Sequence, residues 1–136
     1  RSKILGVIGL GRIGREVIRR AFSYDMTIIG YDPYVNKDTF EEDKIKIADL
    51  DYLTENSDII TIHVPLIEST KNLFDAKRIA RMKSNAKLIN VARGGIINEN
   101  DLSDALNNNI IAGAAIDVFE KEPLDSNSPL IKAKNI

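Results

Sequence analysis

The sequence predicts an α/β protein in which a parallel sheet carries helices on both faces. Short apolar runs alternate with stretches of helical periodicity along the whole chain. A glycine-rich turn, Gly9-Leu10-Gly11-Arg12-Ile13-Gly14, follows the first apolar run and opens the first helical stretch. Asp32 ends the second apolar run, eighteen residues after Gly14. Together these observations predict a doubly wound, Rossmann-type parallel sheet in a single domain spanning residues 1–136.

The first three elements follow from two apolar runs and one helical face. The mostly apolar residues 3–8 predict the first strand. Residues 12–23 predict a helix whose apolar face consists of Ile13, Val17, Ile18, Ala21 and Phe22. Residues 26–31 predict the second strand, which Asp32-Pro33 ends, because the residue before a proline avoids helical backbone and Asp-Pro favours a turn.

The middle of the chain continues the alternation of strands and helices. Residues 36–43 are mostly polar and predict a solvated loop or a short helix. Residues 44–47 predict a short third strand, and Asp49 is placed to cap the helix that follows it. The apolar run 58–64 predicts a fourth strand, and the proline after it ends that strand.

The last third of the chain adds two strands and two helices. We expect a helix near residues 75–83 and a strand over 86–91. The segment 98–101 supplies capping side chains for a helix near 99–107. Three consecutive asparagines follow that helix, and asparagine tolerates the left-handed backbone that a helix end often needs. Residues 110–118 predict the final strand.

Composition excludes several classes of function. The chain has no cysteine and one histidine, which excludes disulfides and thiol catalysis and makes a zinc site an unfavourable interpretation. The net charge of −1 favours neither nucleic acid nor an anionic membrane as a partner. No apolar stretch approaches the roughly 20 residues that span a bilayer, so we expect a cytoplasmic protein.

The glycine turn and Asp32 are the residues expected to bind a dinucleotide. Gly9 permits the tight turn, Gly11 lets the backbone approach a pyrophosphate, and Gly14 lets the helix pack on the strand. The N–H groups at the helix start favour an anion, and Arg12 can add a charge-assisted hydrogen bond. Asp32 would accept hydrogen bonds from the adenosine ribose and repel a 2′-phosphate, which favours NAD over NADP. A purely structural glycine turn is the alternative.

Two further segments bring charged residues to the ends of predicted strands. Asn90-Val91-Ala92-Arg93-Gly94-Gly95 ends the strand at 86–91, and residues 114–123 carry several acids. The carboxyl ends of parallel strands are where ligands bind in this architecture, so Arg93 is placed to bind an anion. Taken singly, Arg93 and Glu122 are each better explained as exposed charges.

Several motifs in one order make these segments more specific. The chain resembles the D-isomer-specific 2-hydroxyacid dehydrogenases, and the resemblance is nearest to their phosphoglycerate dehydrogenase branch, which implies a role in serine biosynthesis. The segments that carry the resemblance are Leu5–Val17, Tyr31-Asp32-Pro33, His63-Val64-Pro65-Leu66 with Thr70, Asn90–Gly95 and Asp117–Pro123.

The resemblance implies roles for individual residues. Arg93 would bind the carboxylate and carbonyl of a 2-oxo acid, which suits a guanidinium that donates paired hydrogen bonds. Glu122 would orient the catalytic histidine, and Asp117 would contact the nicotinamide carboxamide. The cofactor-binding positions expected from the glycine turn and the resemblance together are Gly9, Gly11, Arg12, Ile13, Gly14, Asp32, His63, Val64, Pro65, Thr70, Val91, Ala92, Arg93 and Asp117.

The resemblance also implies what lies outside these residues. The family's catalytic histidine would follow Ile136, whereas His63 matches another position and is expected to shape the cofactor loop or to pack structurally. We therefore expect residues 1–136 to be the NAD-binding domain of a longer enzyme, without its substrate domain, and to transfer no hydride alone. The expected partners are a 2-hydroxy or 2-oxo acid and a second copy of the chain, in a homodimer formed through this domain.

Two alternatives stay open at this point. Within the family, the residues also suit a hydroxypyruvate or glyoxylate reductase, because substrate-reading groups would lie largely in the other domain. Some relatives of this fold bind NAD without catalysis and act as corepressors, and the same residues survive in such proteins.

Overall fold

A computed structural model describes residues 2–40 and 45–136 of the chain. Within this part, six parallel strands form one sheet in the order β3-β2-β1-β4-β5-β6. Four α-helices connect them, and short 3₁₀ turns occur at 22–24, 37–39 and 129–132. The elements are β1 (Ile4–Ile8), α1 (Arg12–Ala21), β2 (Thr27–Tyr31), β3 (Ile45–Ile47), α2 (Leu50–Asn56), β4 (Ile59–Ile62), α3 (Ala76–Ile79), β5 (Lys87–Asn90), α4 (Glu99–Asn107) and β6 (Gly113–Ile116).

Each face of the sheet packs against its own hydrophobic core, as the predicted doubly wound fold requires. On one face, Ile18 and Ala21 of α1 pack with Leu5 and Val7 of β1. The other core is larger and lies under α2, α3 and α4. Its fully buried side chains include Leu53, Phe74, Ile79, Leu88, Leu102 and Leu106. The predicted fold class is therefore confirmed.

The structure confirms the predicted helix caps. The Asp49 carboxylate accepts the backbone N–H of Tyr52 at 2.8 Å, at the start of α2. The Asn98 side chain accepts the N–H of Asp101 at 3.0 Å, at the start of α4. Beyond the end of α4, Asn109 has a φ of 56°, which is the left-handed conformation expected there. The caps bond free backbone N–H groups at a helix start, and the left-handed residue ends a helix. Both depend on neighbouring residues, so the sequence alone could predict them.

Two predicted helices are shorter in the structure. The helix predicted over 12–23 ends at Ala21 and continues as a 3₁₀ turn. The helix predicted near 75–83 consists only of Ala76–Ile79, because the N–H groups of Arg81 and Met82 bond to carbonyls three residues back. Such bonds tighten the chain out of the α-helix while keeping the apolar spacing that suggested a longer one.

Predicted strand limits also need correction. The strand expected over 110–118 is confined to Gly113–Ile116, because the Ile110 N–H bonds to the Ala105 carbonyl and thereby closes the end of α4. The runs 58–64 and 86–91 likewise form strands only at Ile59–Ile62 and Lys87–Asn90. The flanking apolar residues lie in loops beyond the ends of the sheet.

Some expectations for residues 36–47 fall outside the described part. The polar segment forms a 3₁₀ turn at Lys37–Thr39, and the short strand is Ile45–Ile47. Residues 41–44, which complete the predicted loop and begin the predicted strand, lie outside the described residues.

The connections on either side of β1 create a crevice at one edge of the sheet. β2 and β4 flank β1, and the chain leaves these strands toward opposite faces. Open α/β sheets bind ligands at such a switch point, at the carboxyl ends of the strands. Among the described residues, no helix combines the length and apolar character needed to cross a bilayer.

Candidate functional site

The glycine turn after β1 has a shape that two of its glycines make possible. Gly9 has a φ of +95°, and a Cβ there would lie 2.3 Å from the His63 carbonyl oxygen. A Cβ on Gly14 would lie 2.0 Å from the Gly9 carbonyl oxygen. Neither position therefore accepts a side chain without moving backbone. Gly11 differs, because a Cβ there would meet no atom within 4 Å.

Asp32 holds the glycine turn from the end of β2. Its Oδ2 accepts the backbone N–H of Leu10 at 2.9 Å, and its Oδ1 accepts that of Tyr34 at 2.9 Å. Each carboxylate oxygen can accept a further hydrogen bond. Asp32 thus supports the turn and keeps acceptor capacity at the end of β2.

Arg15 holds the same turn from the helix side, a role that the sequence reasoning missed. Its Nε donates to the Leu10 carbonyl at 2.9 Å, and its guanidinium lies 4.9 Å from the centre of the Phe40 ring. With Asp32 on the Leu10 N–H, both polar groups of this residue's backbone are engaged. The available signal was an arginine directly after the third glycine.

Three strand-end loops meet at a cleft of about 410 Å³. They follow β1, β4 and β5, so the cleft lies at the switch point of the sheet. The lining residues are Gly11, Arg12, Ile13, His63, Val64, Pro65, Val91, Ala92 and Arg93. All nine belong to the expected cofactor-binding set, and the fold brings them together from three distant segments.

Ile13 corrects the predicted apolar face of α1. It is 66% exposed, whereas Ile18 and Ala21 of the same face are buried. The first turn of α1 lies beyond the ends of the strands, so the Ile13 side chain faces the cleft instead of the core. Arg12 beside it is also exposed, and no described residue forms a hydrogen bond or ion pair with its guanidinium.

His63 is partly buried at the edge of the cleft. Its Nε2 lies 2.9 Å from the Thr61 hydroxyl oxygen, and its backbone N–H donates to the Ile8 carbonyl. Burial lowers the pKa of the imidazole below its usual value of 6.5. These contacts fit the expectation that His63 shapes the loop.

Thr70 supports the loop that carries Pro65. Its hydroxyl donates to the Pro65 carbonyl at 2.6 Å and accepts the N–H of Ile67 at 2.9 Å. The hydroxyl is therefore engaged within the loop, and Thr70 does not line the cleft. Thr70 therefore acts on the cleft through the position of Pro65.

The loop with Arg93 is held by its neighbours on two sides. The Asn90 side-chain amide bonds to Ala92 and Arg93 within the loop. A Cβ on Gly94 would overlap the Phe119 carbonyl, which shows how closely the loop after β6 approaches. The Arg93 side chain is exposed, and its guanidinium donates to the Ala92 carbonyl at 2.6 Å.

Asp117 and Glu122 lie in the loop after β6, and neither residue lines the cleft. The backbone N–H of Asp117 donates to the Asn90 carbonyl at 3.1 Å, while its side chain is exposed. Glu122 accepts the backbone N–H of Phe119 at 3.1 Å. Because Phe119 contacts Gly94, Glu122 braces the loop that packs against the Arg93 segment.

A second cleft, of about 420 Å³, lies between α2, α3 and residues 69–73. Its two arginines are already paired, since Arg78 and Arg81 both contact Asp51 and Arg81 also contacts Glu55. These ion pairs engage both guanidinium groups, and the cleft lacks the glycine turn with which this fold binds an anion. The cleft at the switch point is therefore the better candidate site.

Comparison with known proteins identifies the kind of domain. A family model described as "D-isomer specific 2-hydroxyacid dehydrogenase, NAD binding domain" matches residues 1–136. The D-3-phosphoglycerate dehydrogenase of Methanocaldococcus jannaschii is 47% identical over 136 residues, which are 99% of this chain and 26% of that protein. The glyoxylate reductase of Thermofilum pendens is 44% identical over 100% of this chain and 40% of that protein.

A solved structure agrees with these relatives. The NAD-dependent formate dehydrogenase from Staphylococcus aureus, in complex with NAD, superposes with a TM-score of 0.92 at 36% identity. The alignment covers 99% of this chain and 40% of that chain. The chain thus spans about a quarter of the length of the phosphoglycerate dehydrogenase and two fifths of the other two proteins.

Proposed function

Because the chain belongs to the D-isomer specific 2-hydroxyacid dehydrogenase family, as its NAD binding domain, we propose that it holds NAD in the switch-point cleft of an enzyme that oxidises a 2-hydroxy acid or reduces a 2-oxo acid. One observation carries the proposal. The loops after β1 and β5 bring Gly11, Arg12 and Arg93 to a single cleft. An anion-binding turn and a guanidinium suited to a carboxylate therefore share one site.

The residues present fit NAD. The space above Gly11 is open to a pyrophosphate, and Arg12 has an exposed, unpaired guanidinium beside it among the described residues. Asp32 retains acceptor capacity for the ribose hydroxyls, and its charge opposes a 2′-phosphate. Ile13 and Val91 present apolar side chains to the cleft. When bound, NAD supplies the site that takes or returns a hydride.

Arg93 is the proposed substrate-binding residue. Its planar guanidinium can donate two hydrogen bonds to the substrate carboxylate and polarise the neighbouring carbonyl. We propose that Glu122 orients a histidine supplied from outside residues 1–136, and that Asp117 contacts the carboxamide of the cofactor. The share of the relatives that this chain covers supports a separate substrate domain elsewhere in the full-length protein.

The proposed substrate is 3-phosphoglycerate, which would place the full-length protein in serine biosynthesis. Three relatives between 42% and 47% identical are D-3-phosphoglycerate dehydrogenases. Glyoxylate reductases at 40% and 44% identity keep a small unphosphorylated 2-oxo acid as the second candidate. Both substrates carry the carboxylate that Arg93 is proposed to bind.

Oxidation of NADH by the full-length protein tests this function. Phosphohydroxypyruvate, hydroxypyruvate and glyoxylate are supplied in turn, and absorbance at the reduced cofactor's band is followed. We expect Arg93→Ala to lower kcat/KM by roughly 10²- to 10³-fold, the loss typical of removing one preorganised donor, while the protein still binds NAD. Arg19→Ala is the matched control, because Arg19 is an exposed arginine paired with Glu16 on α1.

The outcomes separate enzyme from sensor. A full-length protein that binds NAD but reduces none of these acids contradicts the proposed activity and favours a non-catalytic NAD-sensing protein. Residues 1–136 alone are expected to bind NAD without turnover, because Glu122 has no histidine partner among the described residues. Turnover by this chain alone would contradict the assignment of the proton-transfer group to another segment.

A homodimer in the cytoplasm is also proposed. The family resemblance supports a dimer formed through the nucleotide-binding domain, and a charged fraction of 29% without cysteine suits a reducing compartment. Light scattering on the full-length protein measures its mass in solution. A monomer at micromolar concentration would contradict the proposed assembly.

A further inference from the structure

Asn90 is an almost fully buried polar residue at the carboxyl end of β5. Only 2% of its surface is exposed, and its neighbours in register are Ile62 of β4 and Ile116 of β6. Burying a polar amide among apolar strands is unfavourable unless its hydrogen bonds are made. The contacts of Asn90 therefore indicate what it contributes.

Both halves of the side-chain amide bond to the loop that carries Arg93. The Oδ1 atom accepts the backbone N–H of Ala92 at 3.0 Å. The Nδ2 atom donates to the backbone carbonyl of Arg93 at 2.9 Å. One rigid amide thus spans the loop and fixes the direction of the Arg93 peptide.

The backbone of the same residue holds a second predicted site residue. The Asn90 carbonyl accepts the N–H of Asp117 at 3.1 Å, which extends the pairing of β5 and β6 beyond the last residue of β6. Arg93 and Asp117 are therefore attached to one buried residue. Only asparagine and glutamine carry a side-chain amide, with a donor and an acceptor side by side in one plane, and glutamine is one methylene longer.

We propose that Asn90 is the positioning residue for Arg93, setting the guanidinium where it binds the substrate carboxylate. This inference rests on the proposed function, since it concerns the substrate residue of that same cleft. Asn90 acts through the loop backbone and touches neither substrate nor cofactor. Its removal should therefore impair substrate use far more than NAD binding.

Asn90→Asp in the full-length protein is the sharpest test. Aspartate has the same shape and keeps the acceptor for Ala92, but places a carboxylate oxygen against the Arg93 carbonyl. We expect kcat/KM for the 2-oxo acid to fall roughly 10- to 100-fold, because small misplacements of a binding group cost that much, while the Kd for NADH changes less than about threefold. Asn56→Asp is the matched control, because Asn56 also donates to a backbone carbonyl, that of Tyr52, far from the cleft.

Coupling with Arg93 separates positioning from general destabilisation. If Asn90 acts through Arg93, adding Asn90→Asp to Arg93→Ala lowers kcat/KM no further. The proposal would be overturned if the two substitutions lowered kcat/KM independently, so that their effects added. It would also be overturned if Asn90→Asp lowered kcat/KM no more than Asn56→Asp does. Circular dichroism checks the folding of each variant. If Asn90→Asp does not fold, Asn90→Ser replaces it, because the serine hydroxyl is too short to reach both the Ala92 N–H and the Arg93 carbonyl.

Hydrogen exchange of the Ala92 amide tests the proposal without any activity. Asn90→Asp keeps the acceptor, so the Ala92 N–H should exchange as in the wild type. Asn90→Ala removes it, and exchange should accelerate by at least about tenfold. Equal rates in all three proteins would refute the positioning role. If these rates behave as expected while no acid is reduced, the proposed function fails and the loop assignment stands.

Discussion

Alanine at positions 11 and 14 should have opposite effects, although both glycines belong to the same turn. A Cβ at position 14 would lie 2.0 Å from the Gly9 carbonyl oxygen, about 1 Å closer than real Cβ atoms approach. Gly9 cannot retreat easily, because its own Cβ position faces the His63 backbone and its φ is +95°. Overpacking of this kind costs about 1–3 kcal/mol or more, so Gly14→Ala should lower Tm by roughly 5–15 °C.

Gly11→Ala should instead fold normally and lose cofactor affinity. Gly11 has a φ of −78°, which alanine adopts readily, and its Cβ would point into open space. Stability should stay the same or rise by about 0.4–1 kcal/mol, because alanine restricts the unfolded chain. The added methyl occupies the space above the turn that the pyrophosphate of NAD is proposed to fill. Loss of one charge-assisted hydrogen bond between the turn and the pyrophosphate should weaken NAD binding by roughly 10- to 100-fold.

Thermal melts and calorimetric titrations with NAD measure both variants. Adenosine serves as a ligand control, because it has no pyrophosphate and Gly11→Ala should leave its binding unchanged. A Tm of Gly14→Ala equal to that of the wild type, or a Kd of Gly11→Ala for NAD equal to that of the wild type, would refute these expectations.

Three further perturbations each probe one charged or titratable side chain. The hydrogen bond from the Ile4 N–H lowers the pKa of Asp58 in the folded protein. The stability that the Asp58 carboxylate provides above its unfolded-state pKa should therefore be lost as the pH falls through its folded-state pKa. In urea denaturation, Asp58→Asn should reduce the loss of unfolding free energy between about pH 5 and 2. An unchanged acid limb would contradict this. The single imidazole signal of His63 should titrate below 6.5 by NMR, because burial disfavours its charged form, and a midpoint above that value would be contrary. Arg15→Gln should weaken NAD binding by about two- to tenfold while Arg19→Gln does not, and equal titrations of both would refute the support of the turn by Arg15.

Features set by neighbouring residues could be predicted from the sequence. The turn at Gly9, the caps at Asp49 and Asn98, and the left-handed Asn109 all depend on backbone conformation or on hydrogen bonds within a few positions. The ordered motifs also indicated the family, which the family model confirms. Element limits were less accurate, because apolar runs continue past the last strand hydrogen bond into loops, as at Ile110.

The direction of side chains at the site could not be predicted in this way. Helical spacing placed Ile13 on the apolar face of α1 with Ile18, whereas the family resemblance placed it at the cofactor; in the structure Ile13 is exposed and lines the cleft. The resemblance predicts a cofactor role for Thr70, and only the structure shows that its hydroxyl donates to the Pro65 carbonyl. Asn90 begins the Asn90–Gly95 segment, but the sequence indicates no role for it, because nothing local shows that it is buried.

The sequence by itself determined the α/β alternation, the glycine turn, NAD as the cofactor and the family. Tertiary structure decided which residues meet. Gly11, His63 and Arg93 come from three separate segments and share one cleft only because β1, β4 and β5 are adjacent in the sheet. Local conformation depends on interactions within a few residues, which a sequence displays directly. Strand order and burial depend on the free energy of the whole packed chain. They place Arg93 in the same cleft as the glycine turn, and Asn90 beneath the loop that carries Arg93.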